Sequence, residues 1–248
     1  GSDPRTSPAA QRAHTPFLLK IDPLDFSQRD RSPAVIVRAA RADQPLAKVG
    51  THTYLFVDEI RHLSPDGQAP GPLWASPDNK GQRIDYGLDP EIVNDVRYSD
   101  QIEEAFLAIP TFSISTASEN IFSKEMGIYL NATKRGNAWE RPASVELIYP
   151  NGDEGFQIDA GLRIRGGYSR SDFNPKHAFR LFFRSEYGAA KLKYSLFGAE
   201  GAQTFDKIDL RTSQNYSWSN SPNDGHLNIM NRDVFSRDTQ RDMGQPYT

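Results

Sequence analysis

Arginines stand at alternate positions in two short apolar stretches of this chain, and cations arranged that way can hold an anion. In Gly161-Leu162-Arg163-Ile164-Arg165 the spacing predicts a strand with Leu162 and Ile164 facing a core and Arg163 and Arg165 on the opposite face. Phe179-Arg180-Leu181-Phe182-Phe183-Arg184 repeats the pattern, with Phe179, Leu181 and Phe183 inward and Arg180 and Arg184 outward. Paired antiparallel, the two strands crowd up to four guanidinium groups onto one face. Like charges opposed across strands are destabilising, so such a face calls for an anionic partner. The loop between them carries Gly166, Gly167, Ser169, Arg170, Ser171 and Lys176, and glycines with exposed amides and flanking cations suit a phosphate group. The plainer alternative is an ordinary Gly-Gly turn with solvated strand arginines, or arginines paired with acids of neighbouring helices.

Other chemistry is thinner. His14, His52, His62, His177 and His226 are scattered, none at metal-ligand spacing, and each reads as a solvated histidine. The absence of cysteine excludes disulfides, thiolate metal sites and thiol nucleophiles, and no Gly-x-Ser-x-Gly elbow occurs. Asn131-Ala132-Thr133 and Asn215-Tyr216-Ser217 fit the glycosylation pattern, a match frequent by chance. Trp139 and Trp218 read as core residues rather than a platform for sugar.

The elements that would position these residues are mostly strands. Thr111–Ser115, Gly127–Leu130, 143–149 and Phe156–Arg165 are strand-like runs separated by turn signals. Pro150-Asn151-Gly152-Asp153 predicts a tight hairpin that returns the 156–165 strand beside 143–149. Upstream, 34–40 and 51–57 predict a β-hairpin, too small to stand alone, that must end a larger sandwich or pack on the downstream chain. Between them lies an acidic, proline-broken connector. Asp89 caps a short helix with Pro90 at its first position, and a second short helix spans 99–108. The longest predicted helix is 232–243, stopped by Gly244. Its Asp233 is a candidate ion-pair partner for the arginine face.

With 248 residues, 37% hydrophobic, the chain can bury one moderate core or two small ones. A mean hydropathy of −0.64 and the lack of a long apolar run exclude a membrane-spanning helix. A net charge of −3 argues against nucleic-acid binding, so any site for a polyanion must be local. The expected organisation is a disordered lead (1–16), the end of a β-sandwich module (17–58), a connector (59–109) and a sheet-rich domain (110–248). Gly1-Ser2 resembles a cut end, and a helix stop at Met243-Gly244 followed by Pro246 suggests a fragment.

Several motifs recur together: Asn120-Ile121-Phe122-Ser123, Gly127-Ile128-Tyr129, Trp139-Glu140-Arg141-Pro142, Ala160 to Arg170, Pro175-Lys176-His177-Ala178-Phe179-Arg180 and Ile208-Asp209-Leu210-Arg211. In that order and spacing, over roughly 110–248, the chain resembles the CotH kinase family of spore coat protein H, in the form carried by large bacterial surface or secreted proteins. Residues 34–57 are similar to the last strands of the Ig-like sandwich found at the C-terminus of chitobiases and hexosaminidases. The resemblance implies an α+β fold, mainly antiparallel sheet with a protein-kinase-like N-terminal lobe. It also implies transfer of phosphate from ATP, with Mg²⁺ or another divalent metal, to a protein rich in Ser and Thr, at an extracellular or cell-surface location. It assigns nucleotide binding to Arg163, Arg165, Gly166, Gly167, Ser169, Arg170, Lys176 and Arg180, with Gly166–Arg170 as the phosphate-covering loop. The family's catalytic aspartate and metal-binding acid lie in a second lobe beyond Thr248, so residues 1–248 alone are expected to be inactive. Two rivals remain: a noncatalytic adhesion module for acidic glycan or protein, and a structural spacer whose arginines are satisfied by the connector and the 232–243 helix.

Overall fold

The computed structural model describes residues 3–13, 34–43, 48–61, 82, 87–172, 174–212 and 231–246. They fall into two compact units, Gly1–Leu210 and Arg211–Thr248. The fold is mixed α+β, mostly antiparallel sheet with few helices.

Strands β1 (Ala34–Ala39) and β2 (Gly50–Leu55) pair as the expected hairpin. Short helices come next: α1 (Val57–Ile60), α2 (Pro90–Val93), capped by the Asp89 side chain, and α3 (Ile102–Leu107). Thr111–Ser115 is β3, and α4 (Ser118–Phe122) leads into a run of turns before β4 (Arg141–Ile148). Strands β5 (Phe156–Arg165) and β6 (Ala178–Phe182) come after it, then the two-residue pair β7 (Leu192–Lys193) and β8 (Thr204–Phe205), and β9 (Lys207–Leu210). The central sheet has the order β3-β4-β5-β6-β9, antiparallel throughout.

Alternation along these strands divides the sheet into two faces. Val145, Ile158, Ala160, Leu162, Ile164 and Leu181 lie buried on the apolar face, joined by Phe183 and by Ile128 from the turns after α4. The opposite face is mostly polar, carrying Ser113, Glu146, Gln157, Arg163, Arg180 and Asp209 at register positions that face the same way. The β1–β2 hairpin packs on that face at its β3–β5 end. Thr53 Oγ1 donates to Glu146 Oε2 at 2.6 Å. Since that uses its only proton, Ser113 Oγ donates to Thr53 Oγ1, 2.7 Å away. Lys48 Nζ donates to the Gln157 carbonyl at 3.2 Å. Of the two fates expected for the hairpin, packing on the downstream chain is the one observed. The other end of the polar face carries the arginines.

Two expectations need correction. Gly127–Leu130 is a succession of turns rather than a strand: the Ile128 and Tyr129 amides donate to the carbonyls of Asn120 and Ile121. The run is apolar because Ile128 and Leu130 are core residues, and chain folded back on α4 satisfies its backbone without a ladder. The strand expected through Arg184 ends at Phe182, although the Phe183 amide still donates to the Asp206 carbonyl at 2.8 Å. In the lead, residues 3–13 form turns, and Arg5 pairs with Asp3. Most of the connector, including Pro65, Pro70, Pro72 and Pro77, lies outside the described residues. No described helix is long and apolar enough to cross a membrane. In the second unit, α5 (Arg232–Asp242) appears where expected, and Gly244 beyond it adopts φ 70°.

Candidate functional site

A row of charges crosses the polar face. Register places Arg163 of β5 opposite Arg180 of β6, and Arg180 opposite Asp209 of β9. At the far end of the row Glu140, the residue before β4, reaches Arg163. Two adjacent guanidiniums are thus bracketed by two carboxylates, which relieves the repulsion that the sequence pattern sets up.

The two carboxylates are held differently. Glu140 has a side chain only 3% exposed and serves Arg163, Arg184 at 3.4 Å and the Tyr187 hydroxyl at 3.0 Å. It fits because β5 has a glycine beneath it: a Cβ on Gly161 would stand 2.3 Å from Glu140 Oε1. Burial, then the bond to Glu140, pushes the Tyr187 hydroxyl well above the usual phenol range. Asp209 is more open, at 23% exposure. Its Oδ2 accepts from Arg165 Nε at 2.5 Å, and Arg180 engages it with both Nε (2.5 Å) and Nη2 (2.8 Å). The Arg180 bonds, the largest effect, hold the Asp209 carboxyl below its ordinary value.

Beside this row lies a cavity of about 380 Å³, with Lys134, Arg135, Arg163, Arg165, Arg170 and Arg180 in its wall. Trp139 and Phe182 add aromatic surface. These six cations are not equivalent. Arg163, 17% exposed, is committed to Glu140 and to Asn137 Oδ1 at 2.5 Å, and its guanidinium lies 4.3 Å from the centre of the Phe182 ring. Arg170 is spent on the backbone. Its Nε donates to the Gly166 carbonyl at 2.7 Å, Nη1 to those of Ala132 (2.6 Å) and Lys134 (2.9 Å), and Nη2 to that of Ile164. Arg165 and Arg180, 39% and 31% exposed, give Asp209 one edge each. Both Nη groups of Arg165 and Nη1 of Arg180 have no hydrogen-bond partner among the described residues. Lys134 and Arg135 are exposed, with no side-chain partner among them. The available donors therefore come from four cations with one carboxylate between them, an excess of positive charge in a chain whose net charge is −3.

The structure sorts the expected site residues accordingly. Arg163, Arg165, Gly166, Arg170 and Arg180 come together at the cavity, whereas Gly167, Ser169 and Lys176 do not line it. Lys176 is exposed on the loop before β6. Ser169 Oγ donates to the Arg165 carbonyl at 2.8 Å and closes the turn. Gly166 has φ 108°, and a Cβ there would stand 1.8 Å from Ser169 Oγ, so this glycine is required by the turn itself. Arg170 likewise is a structural clamp rather than a free phosphate cation. Asp233 pairs with Arg211 inside the second unit, while the partner of Arg165 and Arg180 is Asp209.

His177 is buried, not solvated. Its Nδ1 lies 2.6 Å from the Ser169 carbonyl, which can only accept, so Nδ1 carries the proton. Nε2 lies 2.7 Å from Gln82 Oε1, and burial lowers the ring's pKa. His52 is exposed, 3.8 Å from Glu146, while His14, His62 and His226 lie outside the described residues, as do Trp218 and Asn215. Asn131 is buried, its Nδ2 donating to the carbonyls of Lys124 and Gly127, so its glycosylation motif presents no accessible amide.

Sequence reasoning missed Lys134, Arg135, Glu140 and Asp209 as site residues. For Asp209 a signal existed: in Lys207-Ile208-Asp209-Leu210 the same alternation puts the acid on the arginine face. No protein-family model, curated protein or solved structure matches the chain.

Proposed function

We propose that residues 110–210 provide the phosphate-binding face of a CotH-like kinase N-terminal lobe, and that the cavity takes the polyphosphate of ATP. The observation that carries this reading is the set of donors on Lys134, Arg135, Arg165 and Arg180 that no described residue engages, gathered around one cavity. Phosphoryl transfer relies on positioning and charge neutralisation, and this arrangement is suited to the second. Gly166 contributes through the shape of its turn, and Arg170 by tying that turn to the segment bearing Lys134 and Arg135.

The fit to a divalent metal is different. No group of three His, Asp or Glu residues that could hold a metal ion occurs among the described residues. Glu140 and Asp209 are already engaged by arginines. The described residues of this pocket therefore do not fit a divalent metal. With both carboxylates occupied, the described residues of the pocket offer no base for an acceptor hydroxyl, so ATP binding without phosphate incorporation is the expected behaviour of this chain. On this reading the acceptor is a Ser/Thr-rich protein at the cell surface.

A second reading has its own support: Trp139 lines the cavity beside the arginines, an arrangement that suits an acidic sugar as well. Isothermal titration with ATP and with an oligouronate separates them. The kinase-lobe reading expects ATP to bind at least tenfold more tightly, and preferential binding of the oligouronate would favour the adhesion module.

A further inference from the structure

The row that supplies the cavity's cations also supplies an anion. In register, Asp209 sits opposite Arg180, and Arg180 opposite Arg163. Arg180 grips the Asp209 carboxylate with the two-pronged edge that guanidinium groups use for carboxylate and phosphate alike. Arg165 binds the same carboxylate through Nε, at the oxygen that Arg180 Nη2 also reaches. Both arginines line the cavity; Asp209, 23% exposed, is bonded to both and is not itself among the lining residues.

We propose that Asp209 is an internal counter-ion that occupies the anion position between Arg165 and Arg180, competes with polyphosphate for these two cations, and thereby sets the affinity of the pocket. This inference rests on the reading of the cavity as a polyphosphate site. It names the residue that limits binding there.

Three observations support it. Asp209 meets the repulsion between neighbouring arginines when no ligand is present, the role a bound phosphate would otherwise fill. Its carboxyl is kept ionised by Arg180, so near neutral pH it is a full negative charge beside the site. Glu140, at the other end of the row, cannot play this part. It is 3% exposed, seated over Gly161 and committed to Tyr187 as well as to arginines. A unit negative charge within several ångströms of a bound polyanion opposes binding, and its removal is worth roughly a factor of ten at an intermediate effective dielectric.

The test is calorimetric titration of the full chain with sodium tripolyphosphate in metal-free, low-salt buffer at neutral pH. Wild type is compared with Asp209→Asn and with Asp153→Asn, which makes the same change of net charge in the hairpin at the other end of β5. Asp209→Asn is expected to bind about tenfold more tightly than wild type, and Asp153→Asn to bind like wild type. If wild type binds and Asp209→Asn binds equally or more weakly, the counter-ion role is overturned while the polyphosphate reading stands. If neither binds, the polyphosphate reading fails and takes this inference with it. Should Asp209→Asn be too unstable for titration, the rise in Tm produced by tripolyphosphate replaces it. A larger rise in the variant than in wild type supports the proposal, and an equal or smaller one overturns it.

Discussion

Gly166 and Gly167 are adjacent in sequence and do different work. Gly166 holds φ 108° with Ser169 Oγ packed where a Cβ would be, while a Cβ on Gly167 would meet nothing within 4 Å. Gly166→Ala is expected to cost about 1–3 kcal/mol in denaturant unfolding, and Gly167→Ala less than about 0.5 kcal/mol. Equal costs would contradict the turn geometry. Glu140→Gln leaves Arg163 and Arg184 without their shared carboxylate, and about 3 kcal/mol should be lost. Asp209 controls a pH dependence. Its folded-state pKa lies below the ordinary 3.8, so the unfolded chain takes up the proton first on acidification. The stability it contributes is present above about pH 4 and is lost as pH falls through the lowered value. Chemical denaturation of Asp209→Asn should accordingly show a shallower loss of stability below about pH 4; an unchanged acid limb would show that the Arg180–Asp209 pair is not linked to folding.

At the scale of elements, the β5–β6 loop is held at both ends. Arg170 ties it to the 132–134 turn, and His177 Nδ1 pins it by donating to the Ser169 carbonyl. Arg170→Ala should speed hydrogen exchange in both segments and weaken polyphosphate binding without removing a ligand contact; fast exchange confined to the loop would contradict the link. This coupling marks the boundary of what was legible in the sequence. Alternation and turn chemistry are local, so β3, β4 and β5, the return of β5 beside β4, the Asp89 cap and the side taken by Arg163, Arg165 and Arg180 could all be read, although the connection after Leu147 runs eight residues rather than the tight turn that Asn151-Gly152 suggests. Gly127–Leu130 was misread because apolar composition marks burial, and a buried turn looks like a strand. Lys134 and Arg135 were missed because their place beside β5 depends on carbonyl bonds to Arg170, 36 residues away from Lys134. Asp209 was passed over for Asp233 because the chain between β6 and β9 hides that the two strands are neighbours.

Across the whole first unit, the polar face of one sheet is used twice. The β1–β2 hairpin covers its β3–β5 end through Thr53 and Glu146, and the cation-lined cavity occupies the other. A chain of net charge −3 thus gathers six cations around one cavity, and on the polyphosphate reading binding there should weaken steeply as salt rises. The measurement that tests this most directly is calorimetric titration of tripolyphosphate into wild type and into the Lys134→Ala/Arg135→Ala double variant, which leaves the sheet's ion pairs untouched. The account expects saturable binding by wild type and at least a tenfold loss in the variant. Binding that is absent in wild type, or the same in both proteins, would contradict it.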